Sequence, residues 1–153
     1  MVRNEMTGPL EHVRVLDFTQ LLQGPLATQI LGDLGAEVIK IEPPAGDPSR
    51  HFVPFLNAGQ ERLSLPFVQA NLNKQSLLLD LEQPPDQERW RALMAQADVV
   101  VSTDGIPAWA QRGVRLERLR TEQPHLVWTA FTPFGLHGPY STYAGNNLIA
   151  EAM

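Results

Sequence analysis

The sequence predicts an α/β protein with an open, mostly parallel, Rossmann-like sheet and helices on both faces. Short runs of branched apolar residues alternate along the chain with segments of helical spacing, which is the order expected of repeated β-α-β units. Prolines and glycines fall between these runs, where strands and helices begin or end. No internal repeat or low-complexity tract interrupts the alternation.

The first β-α-β unit lies near the start of the chain. Residues 13–18 (VRVLDF) predict a buried strand, and Gly24 and Pro25 open a helix that Gly35 ends. The apolar residues at helical spacing in this helix are Leu26, Ile30, Leu31 and Leu34. Residues 37–42 (EVIKIE) predict a second strand, closed by two prolines. Because a helix connects the two strands, we expect them to be parallel.

The later elements follow the same alternation after an interruption. Residues 43–70 are rich in proline and glycine and lack periodicity, so they are predicted to form a long irregular loop. Residues 76–81 (SLLLDL) then predict a strand. Residues 84–97 predict a helix with apolar residues on one face, namely Trp90, Leu93, Met94 and Ala97. Residues 99–101 and 126–131 predict two more strands.

Weaker patterns complete the chain. Residues 116–120 predict a short helix that stops before Pro124, and residues 147–153 begin a helix that the chain does not finish. Asp17, Asp80 and Asp98 lie beside apolar segments, and we interpret them as structural carboxylates at strand ends.

Composition excludes several classes of function. The 17 acidic and 12 basic residues give a net charge of −5, and no run of lysine or arginine suits a nucleic acid or an anionic membrane. The chain has no cysteine, which excludes disulfides and thiolate nucleophiles and favours a cytoplasmic protein. Residues 1–10 do not resemble a signal peptide, and no apolar run approaches the roughly 20 residues that span a bilayer.

Several well-known site motifs are absent from the sequence. Neither GxGxxG nor GxxxxGK[ST] occurs, so the dinucleotide and P-loop fingerprints are missing. The four histidines form no HxH or HxxxH pair, and we expect no metal site. No GxSxG elbow supports a serine hydrolase.

Ligands of open α/β sheets bind beyond the carboxyl ends of the strands, so the polar loops are the candidate sites. Residues 19–25 offer a glycine at a helix start, although a packing turn explains them as well. Residues 71–76 carry side-chain amides and an ammonium group that suit a phosphate or a solvated turn. Residues 102–107 (STDGIP) are typical of a plain turn. Residues 132–147 combine glycines, aromatics and amides, which suits a pocket lid.

An ordered series of short motifs runs along nearly the whole chain. The series is GPL at 8–10, VRVLDF at 13–18, GP at 24–25, DLGAEVIKIEPP at 33–44, GDPSR at 46–50, NKQS at 73–76, LDL at 79–81, ADVVV at 97–101, QP at 123–124, FG at 134–135, GPY at 138–140 and LIA at 148–150. In this order the motifs resemble those of family III CoA-transferases of the CaiB/BaiF type, which include formyl-CoA transferases and 2-methylacyl-CoA racemases.

The resemblance implies a fold, a reaction and partners. Residues 1–153 are expected to form a Rossmann-like CoA-binding domain that is incomplete at its C-terminus. In the family, two long chains interlock as linked rings, so the full-length form is expected to be a homodimer or hetero-oligomer. The reaction moves CoA between an acyl-CoA and a carboxylic acid through an aspartate nucleophile. That aspartate is expected beyond Met153, so no residue of this chain is assigned a catalytic role.

The resemblance also implies CoA contacts, by position in the motifs. The first turn is expected to approach the pantetheine, a strand-end leucine the adenine, and the two later loops the remainder of CoA. The residues at these positions are Leu21, Leu22, Gln23, Asn73, Lys74, Leu79, Thr103, Asp104, Gln111 and Arg112.

Two segments depart from the family pattern. Asp104 would repel a nearby diphosphate by about 1 kcal/mol even in water, and Arg112 is placed to compensate. Asn146 and Asn147 stand where racemases have a histidine, and amides do not transfer protons near neutral pH, so racemisation is disfavoured. The alternatives to an enzyme are a non-catalytic acyl-CoA-binding or docking module, as a degenerate repeat or a subunit of a hetero-oligomeric transferase, and an unrelated nucleotide-binding domain.

Overall fold

A computed structural model describes residues 8–59, 61–143 and 145 of the chain. In chain order its elements are β1 (Arg14–Phe18), α1 (Gln23–Asp33), β2 (Glu37–Glu42), a 3-10 turn (Pro48–His51), β3 (Phe55–Ala58), β4 (Glu61–Ser64), α2 (Leu65–Ala70), β5 (Lys74–Leu78), α3 (Pro84–Met94), β6 (Val99–Ser102), α4 (Ile106–Gln111), α5 (Leu116–Glu122) and β7 (Val127–Ala130). Among the described residues, none of these helices is long and apolar enough to cross a membrane.

The central sheet has five strands in the order β5-β2-β1-β6-β7, and every neighbouring pair is parallel. The chain first builds outward from β1 through β2 to β5 and then returns to the other side of β1 with β6 and β7. The order therefore reverses between β1 and β6, which is where open α/β sheets form their ligand crevice. The predicted open, parallel α/β sheet is confirmed.

One face of the sheet carries an apolar core beneath α3 and α4. Alternate strand residues point to this face, and the two helices cover them with tryptophans. Trp109 meets Phe18 edge-to-face at 5.0 Å between ring centroids and Trp128 at 4.9 Å. The buried members of this core, which we call the aromatic face, are Leu16, Phe18, Ile41, Leu79, Trp90, Met94, Ala97, Val100, Trp109 and Val114.

The other face lies under α1 and is built differently. Near the amino ends of the strands it is apolar, with Val15, Val38 and Val101 in one small cluster. The predicted helix α1 is confirmed, but its fully buried residues are small, namely Gly24, Pro25, Thr28 and Gly32, and Leu31 packs on the apolar cluster while partly buried. The large apolar residues of α1 at positions 26, 30 and 34 face outward and are exposed. A helix with this arrangement approaches the strands closely and leaves room for long strand side chains near its start.

The segment predicted as an irregular loop contains regular elements. Residues 43–70 hold the 3-10 turn, the β3–β4 antiparallel hairpin and α2. Each of these elements is four to six residues long, which is too short for a periodic pattern to emerge. Pro48 and Pro66 suggested a loop in the sequence, yet they are the first residue of the 3-10 turn and the second residue of α2, where a backbone N–H has no partner within the helix.

Smaller differences concern element boundaries and one missing helix. The predicted strand at 76–81 lies two residues earlier, as β5, and Asp80 and Leu81 belong to the loop behind it. The STDGIP segment leads directly into α4, which the turn prediction missed because the helix has only six residues. The helix predicted from residue 147 lies outside the described residues.

Candidate functional site

The carboxyl ends of four adjacent strands border a cleft of about 140 Å³. Its walls come from the segments that follow β1, β2, β5 and β6, so it lies at the edge where the strand order reverses. The residues that line it are Phe18, Gln20, Ile41, Glu42, Pro43, Leu79, Asp80, Leu81, Glu82, Asp104 and Arg112. This position is the one that ligands of doubly wound sheets occupy.

The floor of the cleft is apolar. Phe18, Ile41 and Leu79 form it, and all three also belong to the aromatic face. Leu79 was predicted to meet an adenine, and the structure places it in the cleft with a side chain that is almost completely buried. A flat apolar floor of this kind suits a planar base.

The rim of the cleft is acidic apart from one guanidinium group. Arg112 Nη1 donates to Asp104 Oδ2 at 2.6 Å, and Arg112 Nε lies 3.3 Å from Glu82 Oε1. The guanidinium carbon also stands 5.1 Å from the centre of the Trp109 ring. Arg112 is thus fixed from three sides and compensates the charge of Asp104, as the sequence suggested. Among the residues that the structure describes, one arginine and no lysine line this cleft.

The turn that follows β1 leads from the cleft to α1. Gln20 lines the cleft, and Leu21, Leu22 and Gln23 come directly after it with exposed side chains. Leu21 has a φ of +70°, and this left-handed conformation costs a residue with a Cβ about 1–2 kcal/mol. Gly24 must lack a side chain, because a Cβ there would lie 2.4 Å from the Cβ of Thr19.

Three ion pairs lie beneath this turn, on the α1 face of the sheet, and all of their side chains are buried except that of Arg50, which is 39% exposed. They join Asp17 Oδ2 to Lys74 Nζ at 2.9 Å, Lys40 Nζ to Asp47 Oδ2 at 2.9 Å, and Glu42 Oε1 to Arg50 Nη2 at 2.7 Å. We call these six residues the ionic cluster. Burial of a charged pair is tolerated only where hydrogen bonds satisfy the remaining polar atoms, and the cluster is extensively bonded.

Asp17 shows how the cluster is satisfied. Its carboxylate accepts hydrogen bonds from the Thr19 N–H at 2.9 Å, from the Thr28 hydroxyl at 2.6 Å, and from the Thr19 hydroxyl. With the Lys74 ammonium, four donors surround a side chain that is fully buried. The interpretation of Asp17 as a structural carboxylate that caps local N–H groups is confirmed.

Glu42 links the ionic cluster to the cleft. It accepts two hydrogen bonds from Arg50, at 2.7 Å each, and one from the Ser76 hydroxyl at 2.8 Å. Burial alone would raise the pKa of Glu42, but the bonds from Arg50, Ser76 and the Asp47 amide outweigh it and lower the pKa to about 2. Glu42 is therefore a charged structural residue and no proton donor near neutral pH.

Two of the predicted CoA contacts lie elsewhere in the fold. Lys74 is buried, and its Nζ donates to Asp17 Oδ2, to the Pro25 carbonyl at 2.7 Å and to Asn71 Oδ1 at 2.9 Å. Burial lowers the pKa of Lys74, and the charge of Asp17 offsets part of that shift. Asn73 precedes β5, at the amino edge of the sheet, and donates to Asp33 Oδ1 at 2.6 Å. The structure brings neither residue to the cleft, because both are engaged in contacts within the fold.

Two further predicted contacts, Thr103 and Gln111, lie outside the cleft. Thr103 precedes Asp104 in the loop after β6 and is partly exposed, and Gln111 is an exposed residue at the end of α4. Neither lines the cleft. Of the ten predicted contacts, the cleft brings together three, which are Leu79, Asp104 and Arg112.

The fourth polar loop borders a second cleft, of about 220 Å³. Thr132, Gly135, Leu136, Ser141 and Thr142 line it from one side, and the start of α4 lines it from the other. The loop was predicted to cover a pocket, and this placement is consistent with that hypothesis. The two asparagines of AGNN lie outside the described residues. Within the described part of the chain, no group of three or more acidic or histidine residues is placed to hold a metal ion.

Sequence reasoning missed the ionic cluster. The signal was present, because Asp17, Lys40 and Glu42 alternate with the apolar residues of the carboxyl halves of β1 and β2, which places Lys40 and Glu42 on one face of β2. In the sheet register, Asp17 stands beside Lys40, and Lys40 beside Ser76. Charges in these positions predict either an exposed face or a buried polar network. Because α1 covers this face, the charges form a buried polar network.

Comparison with known proteins gives consistent results for sequence and fold. Residues 10–153 match the family model described as CoA-transferase family III. The mouse succinyl-CoA:glutarate CoA-transferase is 40% identical over 147 residues, which are 95% of this chain and 33% of the relative. The succinate–glutarate CoA-transferase of Agrobacterium fabrum is 38% identical over 149 residues, covering 95% of this chain and 37% of the relative. This chain thus spans about a third of the length of these curated relatives.

A solved structure extends the comparison to three dimensions. The crystal structure of a CaiB/BaiF family protein from Brucella suis superimposes with a TM-score of 0.86 at 34% identity. The match covers 94% of this chain and 38% of that structure. The parallel sheet and its helices therefore have the architecture of that protein.

Proposed function

The chain belongs to CoA-transferase family III, and on that premise we propose that it forms the CoA-binding part of an enzyme that moves CoA between carboxylic acids. The curated relatives are CoA-transferases by name. The partners would be an acyl-CoA and an acceptor carboxylate. The proposal treats residues 1–153 as one Rossmann-like CoA-binding domain.

The observation that carries the proposal is the cleft at the carboxyl edge of the sheet. Its apolar floor suits the adenine of CoA, and its carboxylates are acceptors for ribose hydroxyls. Arg112 is the one cationic residue on the rim in the described part of the chain, and a guanidinium group is a good partner for a phosphate. Because carboxylates outnumber this cation, the phosphates of CoA are expected on the Arg112 side and toward solvent.

In the proposed reaction, an aspartate outside these residues supplies the covalent step. Its carboxylate oxygen attacks the thioester carbonyl of the acyl-CoA, and the CoA thiolate leaves, which gives a mixed anhydride. The thiolate then attacks the aspartyl carbonyl of the anhydride, releasing the donor as a carboxylate and leaving an aspartyl-CoA thioester. The acceptor carboxylate reverses both steps. The role of this chain is to bind and orient CoA.

Calorimetric titration with CoA tests the binding role. The wild-type chain is expected to bind CoA, and Arg112→Met is expected to weaken binding about tenfold or more, because a charge-assisted hydrogen bond to phosphate is lost. Arg112→Met/Asp104→Asn repeats the test without a lone carboxylate on the rim. Arg118→Met, on an exposed part of α5, is the matched control and should bind as the wild type does.

Two results would contradict the binding proposal. One is the absence of binding at millimolar CoA, and the other is an Arg112→Met variant that binds as tightly as Arg118→Met. The covalent step needs a separate experiment on the whole protein that carries this chain. Hydroxylamine or borohydride should trap its aspartyl-CoA thioester, and a whole protein that turns over without any such adduct would contradict the mechanism.

A further inference from the structure

The segment between β1 and α1 is held by backbone contacts on both sides of Gln20. Lys40 Nζ donates to the Thr19 carbonyl at 2.9 Å, and the Leu21 N–H donates to Asp47 Oδ1 at 3.2 Å. The same two side chains form a direct ion pair with each other, at 2.9 Å between Nζ and Oδ2. The buried Lys40–Asp47 pair therefore makes hydrogen bonds to the peptide groups before and after Gln20, the residue that lines the cleft.

The contact from Asp47 is made at Leu21, a residue whose backbone conformation is disfavoured. Leu21 adopts a φ of +70°, which is disfavoured for any residue with a Cβ and persists only where surrounding contacts enforce it. The Leu21 side chain is about half exposed and cannot supply that enforcement by packing. The hydrogen bond from its N–H to Asp47 is made to the backbone itself, next to the strained φ angle.

The pair is itself rigidly placed. Lys40 belongs to the interior of β2, and its side chain is 1% exposed. Asp47 caps the 3-10 turn, where Oδ1 accepts from the Ser49 N–H at 2.9 Å and the Ser49 hydroxyl at 2.7 Å. The Asp47 N–H donates to Glu42 Oε2 at 3.0 Å, so the cap is tied to the end of β2. Residues distant in sequence thus form a fixed support for the turn.

We propose that Lys40 and Asp47 are positioning residues for CoA binding, because their ion pair holds the left-handed turn at Leu21 and so fixes segment 20–23 at the edge of the cleft. This inference rests on the proposed function. Neither residue is a ligand, since both side chains are closed off from solvent. The pair acts through the backbone of the turn, which predicts energetic coupling between the pair and Leu21.

Two double variants separate the loss of the hydrogen bond to the turn from the loss of the two charges. Removing one partner alone would leave an unpaired buried charge and destabilise the whole fold. Lys40→Met/Asp47→Leu removes both charges and both contacts to the turn. Lys40→Met/Asp47→Asn also removes both charges but keeps an oxygen that accepts from the Leu21 N–H. The difference between the two variants therefore reports on the bond to Leu21 together with the two bonds to Ser49, and Ser49→Ala is the control for the bond from the Ser49 hydroxyl.

The first readout is hydrogen exchange at the Leu21 amide, which does not depend on any ligand. Exchange at Leu21 is expected to rise at least about tenfold in Lys40→Met/Asp47→Leu and much less in Lys40→Met/Asp47→Asn. Exchange at Val100, in the centre of the aromatic face, is the internal control for global unfolding. The second readout is the Kd for CoA, which should rise about tenfold in the Leu variant and less in the Asn variant.

A rescue variant distinguishes a positioning role of the Lys40–Asp47 pair from a role in the stability of the fold alone. Asparagine tolerates the left-handed region better than leucine, so Leu21→Asn should recover several-fold of the lost CoA affinity in the Lys40→Met/Asp47→Leu background. In the wild-type background the same change should give no gain in affinity, because the pair already holds the turn. Additive effects of Leu21→Asn in the two backgrounds would overturn the proposal.

The outcomes distinguish this proposal from the proposed function. Unchanged exchange at Leu21 in folded Lys40→Met/Asp47→Leu, with normal CoA binding, would overturn the positioning role and leave the function standing. If the wild-type chain binds no CoA while hydrogen exchange at the Leu21 amide changes as expected in the double variants, the proposed function is overturned. The role of the Lys40–Asp47 pair in holding the turn is then supported. If that double variant does not fold, Leu21→Asn alone tests the strain: a higher Tm supports the proposal and a lower Tm contradicts it.

Discussion

The two faces of the central sheet are both covered by helices, but one buries apolar side chains and the other buries paired charges. The aromatic face buries Phe18, Trp90 and Trp109 in edge-to-face contact and needs few hydrogen bonds. The α1 face, toward the carboxyl ends of the strands, buries the ionic cluster and satisfies its charges with hydrogen bonds. The difference teaches that the aromatic face is held by the packing of large apolar side chains, whereas the charged face is held by paired charges whose hydrogen bonds extend to the turn beside the cleft.

The largest effect is expected from removing one charge of the ionic cluster. Lys74→Met leaves the buried Asp17 carboxylate without its cation, and such a loss costs about 3–5 kcal/mol. Urea denaturation should show this as a decrease in the free energy of unfolding. Replacement of both partners, Asp17→Leu/Lys74→Met, should recover part of the loss, because no unpaired charge remains.

The control for this prediction is an ion pair on the surface. Arg118 and Glu122 pair at 2.6 Å on α5 and are both exposed. Arg118→Met should therefore cost less than about 1 kcal/mol. If Lys74→Met costs no more than Arg118→Met, the ionic cluster contributes nothing that an exposed pair does not, and the contrast between the two faces fails.

Acid should weaken the charged face before the aromatic face. The pKa of Glu42 is lowered from 4.5 to about 2 by the fold, so its contribution is complete above about pH 4.5 and is lost as the pH falls toward 2. The loss is on the order of 3 kcal/mol. The pKa of Asp47 is also lowered, since its bonds to Ser49 and Lys40 outweigh the effect of burial, and it adds a loss of the same sign.

The measurement is the free energy of unfolding as a function of pH. Glu42→Gln should flatten the acid limb of the curve, and Glu122→Gln, on the exposed α5, should leave it as in the wild type. An acid limb that is equally steep in the wild type and in Glu42→Gln would assign the acid sensitivity to other carboxylates.

A smaller difference is expected within the aromatic face. The Trp109 indole N–H donates to Ser102 Oγ at 2.9 Å, whereas the buried Trp90 Nε1 has no hydrogen-bond partner among the described residues. Trp109→Phe should therefore destabilise the protein by about 1 kcal/mol more than Trp90→Phe, beyond the similar loss of volume. Thermal and urea unfolding of both variants measure the difference. Equal losses would show that the hydrogen bond to Ser102 adds nothing.

The sequence predicted the aromatic face better than the charged one. Strands 13–18 and 37–42 and the helix with Trp90 were found because their apolar residues follow the period of a strand or a helix. Of the charged residues in these strands, Asp17 alone was interpreted, as a strand-end carboxylate, and Lys40 and Glu42 were assigned no role. Their partners come from distant segments, since Lys74 lies 57 positions from Asp17, and no local pattern shows such a pairing.

The candidate site was predictable in outline only. The rule that ligands bind at the carboxyl ends of parallel strands correctly indicated the edge at which the cleft lies. The compensation of Asp104 by Arg112 was expected, but α4, the helix that brings the two side chains together, is too short to predict. Lys74 was expected on a polar turn because the sequence alone does not show that its side chain reaches across the sheet to Asp17.

The alternation of charged and apolar side chains in β2 also fixes how the strands align. A shift of one residue exchanges the two faces of a strand. In β2 that shift would place Lys40 and Glu42 among the tryptophans and turn Ile39 and Ile41 toward Asp17. Each misplaced charge would be buried without a partner, which is far more costly than a misplaced apolar residue. The ionic cluster therefore opposes a one-residue shift of β2 against β1 and β5, in addition to the apolar pattern of the strands.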